Sequence, residues 1–141
     1  MAGSAALNSS SGAHARASVA APFWDPQNGL VSHLDPGTPV PADPKQLQTL
    51  VNQQIDARIR GAGYCAGGSS YADAEITYSG SGVTGASPYS ALKFWLTDPP
   101  HRMVLLDPQW KEVGFSVLSG SAFPGVTGFA TTYVVDFGRC S

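Results

Sequence analysis

Hydrophobic residues recur along the chain at two spacings, and each spacing predicts a different kind of element. Between residues 44 and 60 they return every three or four positions, as in a helix with one apolar face: Leu47, Leu50, Val51, Ile55 and Ile59. Asp43 suits the N-cap of this helix and Pro44 its first position. A second helix is predicted over residues 88–97. Its buried face is expected to consist of Leu92, Trp95 and Leu96.

Alternation of apolar and polar residues predicts three strands elsewhere. They cover residues 71–80, 113–118 and 129–137. A segment rich in Gly and Ser joins the last two, which favours an antiparallel hairpin. Apolar faces on both the helices and the strands are compatible with helices packed on a sheet.

The remaining segments give weaker signals. Alanines favour a helix over residues 4–20, while Gly12 and a run of serines oppose it. Six prolines between residues 21 and 44 exclude a long regular element there. Residues 79–86 are predicted to form a flexible link, and residues 103–106 a short apolar turn.

A double proline interrupts the chain after the second helix. Pro99 and Pro100 cannot continue that helix, and Pro99 also drives Asp98 out of the helical region. Asp98, His101 and Arg102 are therefore expected together at a helix end, where polar side chains can converge on a cleft.

Length and charge narrow the possible functions. A chain of 141 residues is expected to form one domain with a single core. Its net charge of −2 provides no basic surface, so no nucleic-acid partner is expected. No apolar run approaches the length of a membrane span, and the first residues lack the basic and apolar regions of a signal peptide.

Two cysteines, Cys65 and Cys140, allow one intramolecular disulfide. A bond between them would close a loop of roughly 75 residues and contribute on the order of 4 kcal/mol in the chain-entropy model. Two buried free thiols are the alternative, because a single pair of cysteines does not fix the redox compartment.

Three polar residues are candidates for chemistry: His33, Glu75 and His101, with Asp98 or Glu112 as a fourth. Two imidazoles and a carboxylate can coordinate a divalent metal or exchange protons, provided that they converge. Sequence spacing does not establish convergence, and each residue has a simpler interpretation as a solvated or helix-capping side chain. No nucleophile elbow, phosphate-binding loop, dinucleotide-binding glycine run or paired-cysteine zinc motif is present.

The stretch from residue 95 to residue 114 resembles the pattern W-x-x-S-P-x-H-R … E-x-G-x-G of the CAP superfamily. That group comprises the cysteine-rich secretory proteins, antigen 5 and the plant pathogenesis-related proteins, and is also called SCP-like. The matching residues are Trp95, Pro99, His101, Arg102, Glu112, Val113 and Gly114. Asp98 stands where bacterial members usually have Ser, which makes the resemblance that of a divergent, bacterial-type member.

Looser similarities extend the resemblance over nearly the whole chain. Residues 56–64 look like the family's D-R-I-x-x-A-G-Y, and residues 133–138 like its closing Y-W-V-Q-D-F-G. Glu75 matches the Glu of the family's G-E-N strand, but Ile76 replaces the Asn. His14 lies in a run similar to the end of the family's first helix, which usually has a further turn or two. The N-terminus is therefore expected to be incomplete.

The resemblance implies an α+β fold, a three-layer α-β-α sandwich around a small, mainly antiparallel sheet, with residues 1–141 as a single domain. Family members line a central cleft with two His and two acidic residues, and some bind zinc there. His33, Glu75 and His101 match three of these positions and Asp98 is the nearest candidate for the fourth, so all four are expected to line the cleft. A divalent metal such as zinc would be held by His33 and His101, and no catalytic residue is assigned.

The function implied is that of a secreted, extracellular binding module without enzymatic activity, expected to be a monomer. Its cleft would take a divalent metal, a lipid or another small ligand, and an extracellular partner is a further option. Two alternatives stay open: a protease-like hydrolase that uses the His/Glu cleft, and a structural envelope-associated domain with a vestigial site. Asp98 in place of Ser and Ile76 in place of Asn weigh against the hydrolase.

Overall fold

A computed structural model describes all of residues 1–141. The strands are β1 (Ala2–Gly3), β2 (Tyr71–Ser81), β3 (Glu112–Ser119) and β4 (Ala130–Cys140). The helices are α1 (Ala5–Ala20), α2 (Pro44–Gly61), α3 (Gly82–Gly85), α4 (Pro88–Thr97) and α5 (Pro99–Leu105), and a 3-10 helix covers Gly29–His33. The predicted helices and strands are present. The segments predicted to be irregular contain short ordered elements, namely the 3-10 helix, α3 and α5.

β4 is an inner strand of the sheet, whose order is β1-β3-β4-β2. It pairs antiparallel with β2 along the full length of both strands, and with β3 through the predicted hairpin. β1 adds two residues in parallel at the start of β3. The sheet is therefore small and mainly antiparallel.

Helices cover both faces of this sheet. On one face α1 and α2 enclose a core that includes Leu7, Val51 and Ile59. On the other face α4 and α5 contact β2, and a second core gathers around Trp95 and Phe137. The expected α+β class and the α-β-α layering are confirmed.

α1 lies very close to β3 because Gly114 has no side chain. A Cβ atom at Gly114 would lie 2.2 Å from the main-chain nitrogen of Asn8, so a larger residue would displace the helix. The Asn8 side chain also accepts a hydrogen bond of 3.0 Å from the N–H of Phe115. These contacts hold α1 against the sheet and thereby position His14, which α1 carries.

The predicted stripe on α4 is wrong at Leu92. The buried residues of α4 are Ala91 and Trp95, whereas Leu92 is 46% exposed and Leu96 is half-buried. Only a narrow side of this short helix meets the sheet, because α4 lies over β2 and leaves the same face of β3 uncovered.

The double proline separates two helices and does not end helical structure. Asp98 is the C-cap of α4 and also the N-cap of α5, which begins at Pro99. Proline is accepted there because its missing N–H would have no partner in the first turn of a helix. The turn predicted over residues 103–106 is therefore largely the end of α5, and His101 lies in the first turn of that helix.

Cys65 and Cys140 form the expected disulfide, with their Cα atoms 5.4 Å apart. The bond joins the segment after α2 to the end of β4. Beside it, the main-chain N–H groups of Ser69 and Ser70 donate to the main-chain oxygen of Ser141 at 2.7 and 3.0 Å. The end of the described chain is therefore fixed by both a covalent bond and hydrogen bonds.

Replacing both cysteines by serine is expected to lower the free energy of unfolding by about 2–4 kcal/mol. The unfolded chain regains the freedom that the bond, with its sequence separation of 75, removes. Urea denaturation of the oxidised parent and of the double variant measures the difference. The reduced parent is the control and should match the variant. Equal stability of the oxidised and reduced parent would contradict the expectation.

Candidate functional site

The four residues predicted for the site all line one cleft. His33, Glu75, Asp98 and His101 form part of the wall of a cavity of about 650 Å³. They come from the 3-10 helix, β2 and the junction of α4 with α5, while α2 supplies further wall residues. The residues are far apart in the chain, so tertiary packing brings them to the same cavity.

Glu75 is buried, and two side chains hold its carboxylate. His33 Nδ1–H donates to Glu75 Oε1 at 2.9 Å. Arg58 donates to both carboxylate oxygens, at 3.1 and 3.0 Å, and also to Asp35 at 2.9 Å. Because an ionised carboxylate only accepts hydrogen bonds, His33 carries a proton on Nδ1, which leaves Nε2 as its free ring nitrogen.

The charge of Glu75 depends on these neighbours. Burial by itself raises the pKa of Glu75, but the charges of His14 and Arg58 and the hydrogen bond from His33 hold that pKa well below its ordinary value. His14 contributes little at neutral pH, because burial lowers its own pKa and keeps the imidazole neutral. Arg58 is therefore the permanent positive charge that keeps Glu75 ionised inside the protein.

His14 links α1 to the segment that carries His33. Its Nε2–H donates to the main-chain oxygen of Ser32 at 2.7 Å. The Ser32 hydroxyl in turn shares a hydrogen bond of 2.6 Å with Thr77 on β2. The 3-10 helix is thus tied to both α1 and β2, which fixes the main chain next to His33.

A second carboxyl group, Asp136, is paired with Glu75 across β2 and β4. Asp136 is completely buried, and its oxygens have no hydrogen-bond partner at normal geometry. Burial and the negative charge of Glu75 raise the pKa of Asp136 well above its ordinary value. A neutral Asp136 beside an ionised Glu75 is the favourable arrangement, because two charged carboxylates in adjacent buried positions repel each other.

The variant Asp136→Asn is expected to gain stability relative to the parent as the pH rises. The pKa of Asp136 is higher in the folded protein than in the unfolded protein. Protonated Asp136 therefore stabilises the fold fully at a pH below the pKa of the unfolded state, and this stabilisation is lost as the pH rises through the pKa of the folded state. Asparagine has no proton to lose, so this pH-dependent loss is absent from the variant. Urea denaturation at about pH 5 and about pH 8 should therefore show a larger advantage for the variant at the higher pH.

Asp43→Asn is the matched control for this comparison, because Asp43 is exposed and asparagine caps a helix as well as aspartate does. Its difference from the parent should stay constant between the two pH values. An advantage of the variant that does not grow between the two pH values would contradict a raised pKa of Asp136 in the folded state.

Asp98 orients the second imidazole of the cleft. His101 Nδ1–H donates to the Asp98 carboxylate at 2.5 Å, and the same carboxylate accepts from the main-chain N–H of His101. The imidazole packs against Phe94 with the ring centroids 5.1 Å apart. Both imidazoles that line the cleft therefore have Nδ1 occupied by a carboxylate and Nε2 free.

The cleft offers no positive side chain among its lining residues. Its polar wall consists of three carboxyl groups, two imidazoles and four amides: Asp73, Glu75, Asp98, His33, His101, Gln27, Asn28, Gln48 and Asn52. Apolar contacts come from Leu30, Val51, Ile55, Ile76, Phe94 and Val104. An anionic ligand would find no lysine or arginine to pair with, so the lining suits a neutral or cationic ligand.

Metal binding by His33 and His101 stays a prediction, and the residues around them form no fuller metal site. Glu112, the other candidate for the fourth position, accepts from the Tyr64 hydroxyl at 2.7 Å and does not line the cleft. No group of three or more His, Cys, Asp or Glu side chains is arranged to hold a metal ion. His33 and His101 nevertheless share a feature of metal-binding histidines, which donate their second ring N–H to a carboxylate.

Sequence reasoning does not predict Arg58 or Asp136, although both determine the state of Glu75. Arg58 precedes Ile59 at the border of the apolar face of α2, which is the only signal that it could reach the interior. Asp136 interrupts an apolar run in β4, between Val135 and Phe137. A charged residue in such a strand is the signal that points to a buried polar network.

Comparison with protein-family models, with curated proteins and with solved structures finds no match for the chain. The resemblance to the CAP superfamily therefore stays a prediction. None of the helices combines the length and the apolar character that crossing a bilayer requires. The function has to be inferred from the cleft itself.

Proposed function

We propose that the chain is a non-enzymatic, CAP-like binding module whose cleft takes a small neutral or cationic ligand. The observation that carries the proposal is the pair of cleft imidazoles, His33 and His101, each with Nδ1 held by a carboxylate. This arrangement fixes the tautomer of both rings before any ligand arrives and leaves Nε2 of each ring for binding. The absence of lysine and arginine from the lining supports a ligand without negative charge.

A divalent ion such as zinc is the first ligand to test. His33 and His101 would hold it, and water or a second ligand would complete its coordination. When bound, the ion would supply a positive charge able to polarise a carbonyl or hydroxyl group of that second ligand. The apolar part of the lining, such as Ile55 and Phe94, would then contact the rest of the molecule, which leaves a lipid among the possible ligands.

An extracellular location belongs to the same proposal. The disulfide between Cys65 and Cys140 supports it, because such bonds persist in oxidising compartments.

A hydrolase that uses a nucleophile is less well supported. It needs a hydroxyl or thiol group within hydrogen-bonding reach of an imidazole. No serine, threonine, tyrosine or cysteine lines the cleft, and both cysteines are in the disulfide. No observation favours a vestigial site over a working one.

Calorimetric titration with zinc is expected to show one binding event. His33→Ala and His101→Ala should each lower the affinity for zinc by roughly tenfold or more. The double variant should lose little beyond either single change, because both ligands serve the same ion. Affinity should also fall on acidification, since a metal-bound imidazole must be neutral.

Gln53→Ala is the matched control, since Gln53 is exposed on α2 and does not line the cleft. It should bind zinc like the parent. A parent that binds no zinc would remove the metal from the proposal. Zinc binding that survives both histidine substitutions would place the ion elsewhere.

A further inference from the structure

β3 has an open outer edge. β1 pairs only with Glu112 and Val113, so Gly114 to Ser119 have no strand beyond them on that side. Ser4 donates to the main-chain oxygen of Val113 and Asn8 accepts from the N–H of Phe115, which shows that odd-numbered residues direct their main-chain groups outward. By the same alternation, Val117 presents its N–H and C=O at the uncovered edge.

The side chains beside this edge form an uncovered apolar face. Phe115 is 63% exposed and Val117 is 55% exposed, because α4 lies over β2. Two shallow grooves of about 270 and about 520 Å³ share Val117. The second groove also contains Val83, which is 86% exposed, and Phe129, which is 62% exposed. We call these four side chains and the edge of residues 114–119 the β3 face.

The β3 face lacks the features that normally protect an open edge. Native proteins place charged side chains, prolines or bulges there to prevent pairing with another strand. Residues 113–135 contain no Asp, Glu, Lys, Arg or His, and residues 114–119 contain no proline. Such a surface can approach an identical surface without repulsion between like charges.

We propose that a second copy of the chain binds at the β3 face through antiparallel pairing of β3 with β3 of its partner. A two-fold axis brings the same strand of both copies together edge to edge. The outward N–H and C=O of Val117 then gain partners, and Phe115 and Val117 of each copy help to cover those of the other. The protein is accordingly a dimer, in contrast to the monomer expected from the sequence.

The open main chain favours a strand over a lipid surface as the partner. Hydrocarbon cannot satisfy the unpaired N–H and C=O groups of the edge, whereas a strand satisfies both. The β3 face also supplies part of the area that a stable interface needs. A standard interface takes about a tenth of a small protein's surface, or about 740 Å² of the 7400 Å² here. The rings of Phe115 and Phe129 provide roughly 200–300 Å² of this, and the valines, grooves and edge add to it.

Sedimentation equilibrium of the native chain is expected to show a monomer–dimer equilibrium that Val117→Lys weakens by roughly tenfold or more. The two-fold axis would place the two lysines close together. Because Val117 is already exposed, the variant should keep the circular dichroism of the parent. Val40→Lys is the matched control at a half-exposed valine outside the β3 face, and it should dimerise like the parent.

Hydrogen exchange provides a readout that needs no variant. The amide of Val117 should become protected as the protein concentration rises. A chain that stays monomeric at every concentration overturns the proposal, and so does a dimer that Val117→Lys leaves intact. Binding of the monomer to phosphatidylcholine vesicles, lost in Val117→Lys, would replace the second copy by a membrane.

Discussion

Arg58→Ala is expected to lower the free energy of unfolding by about 3–5 kcal/mol. The side chain of Glu75 is fully buried and Arg58 donates to both of its oxygens, so the substitution leaves a buried carboxylate without its cation. Desolvating such a charge is far more costly than losing a surface ion pair. Urea denaturation followed by circular dichroism measures the loss.

A double variant separates the effect of charge from that of packing. Glu75→Gln removes the charge that requires Arg58, so the combination of both changes should be clearly more stable than the sum of the single losses. Arg16→Ala is the control at an exposed arginine of α1, and its effect should stay within about 0.5 kcal/mol. Strict additivity would mean that Arg58 acts only through its bulk.

Trp95→Ala is expected to cost a similar amount, about 3–5 kcal/mol, for a different reason. Trp95 is 7% exposed, and its indole N–H donates to the main-chain oxygen of Thr77 at 2.9 Å. Its ring meets Tyr133 edge to face at 6.5 Å. The substitution opens a cavity in the core between α4 and the sheet and leaves a buried carbonyl without its donor. The shift of the urea midpoint reports the cost.

Leu92→Ala, one turn earlier on the same helix, is the comparison for Trp95→Ala. Leu92 is 46% exposed, so its truncation should change stability much less than that of Trp95. Equal losses at the two positions would show that α4 lies on the sheet through the wider stripe that the sequence pattern predicts. The comparison therefore tests the orientation of α4 as well as the burial of Trp95.

Local patterns predict the elements of this fold well and their contacts less well. The spacing of Leu47 to Ile59 and the alternation in β4 reflect backbone periods that depend only on neighbouring residues, and both elements form as predicted. Whether Leu92 or Phe115 is covered depends instead on where α4 lies relative to β3. That placement is set by residues far away in the chain, so an apolar side chain alone does not reveal it.

The same limit applies to the cleft. The residue types of His33, Glu75, Asp98 and His101 identify them as candidates, and the structure brings them to the wall of one cavity. Their electrostatic state could not be predicted, because it depends on Arg58 and Asp136. One reaches Glu75 from another helix and the other from the adjacent strand. Contacts of this kind arise only when α2, β2 and β4 have packed together.

The position of β4 has a consequence for how the protein is made. β4 pairs along its whole length with β2 and through residues 131–138 with β3, yet it follows both in the chain. A ribosome therefore releases β2 and β3 before the strand that joins them exists. During that interval their apolar residues have no sheet to enter, and they are open to association with other nascent chains. Folding of the sheet must wait for synthesis to pass residue 130, and a truncation that removes β4 would divide the sheet instead of shortening it.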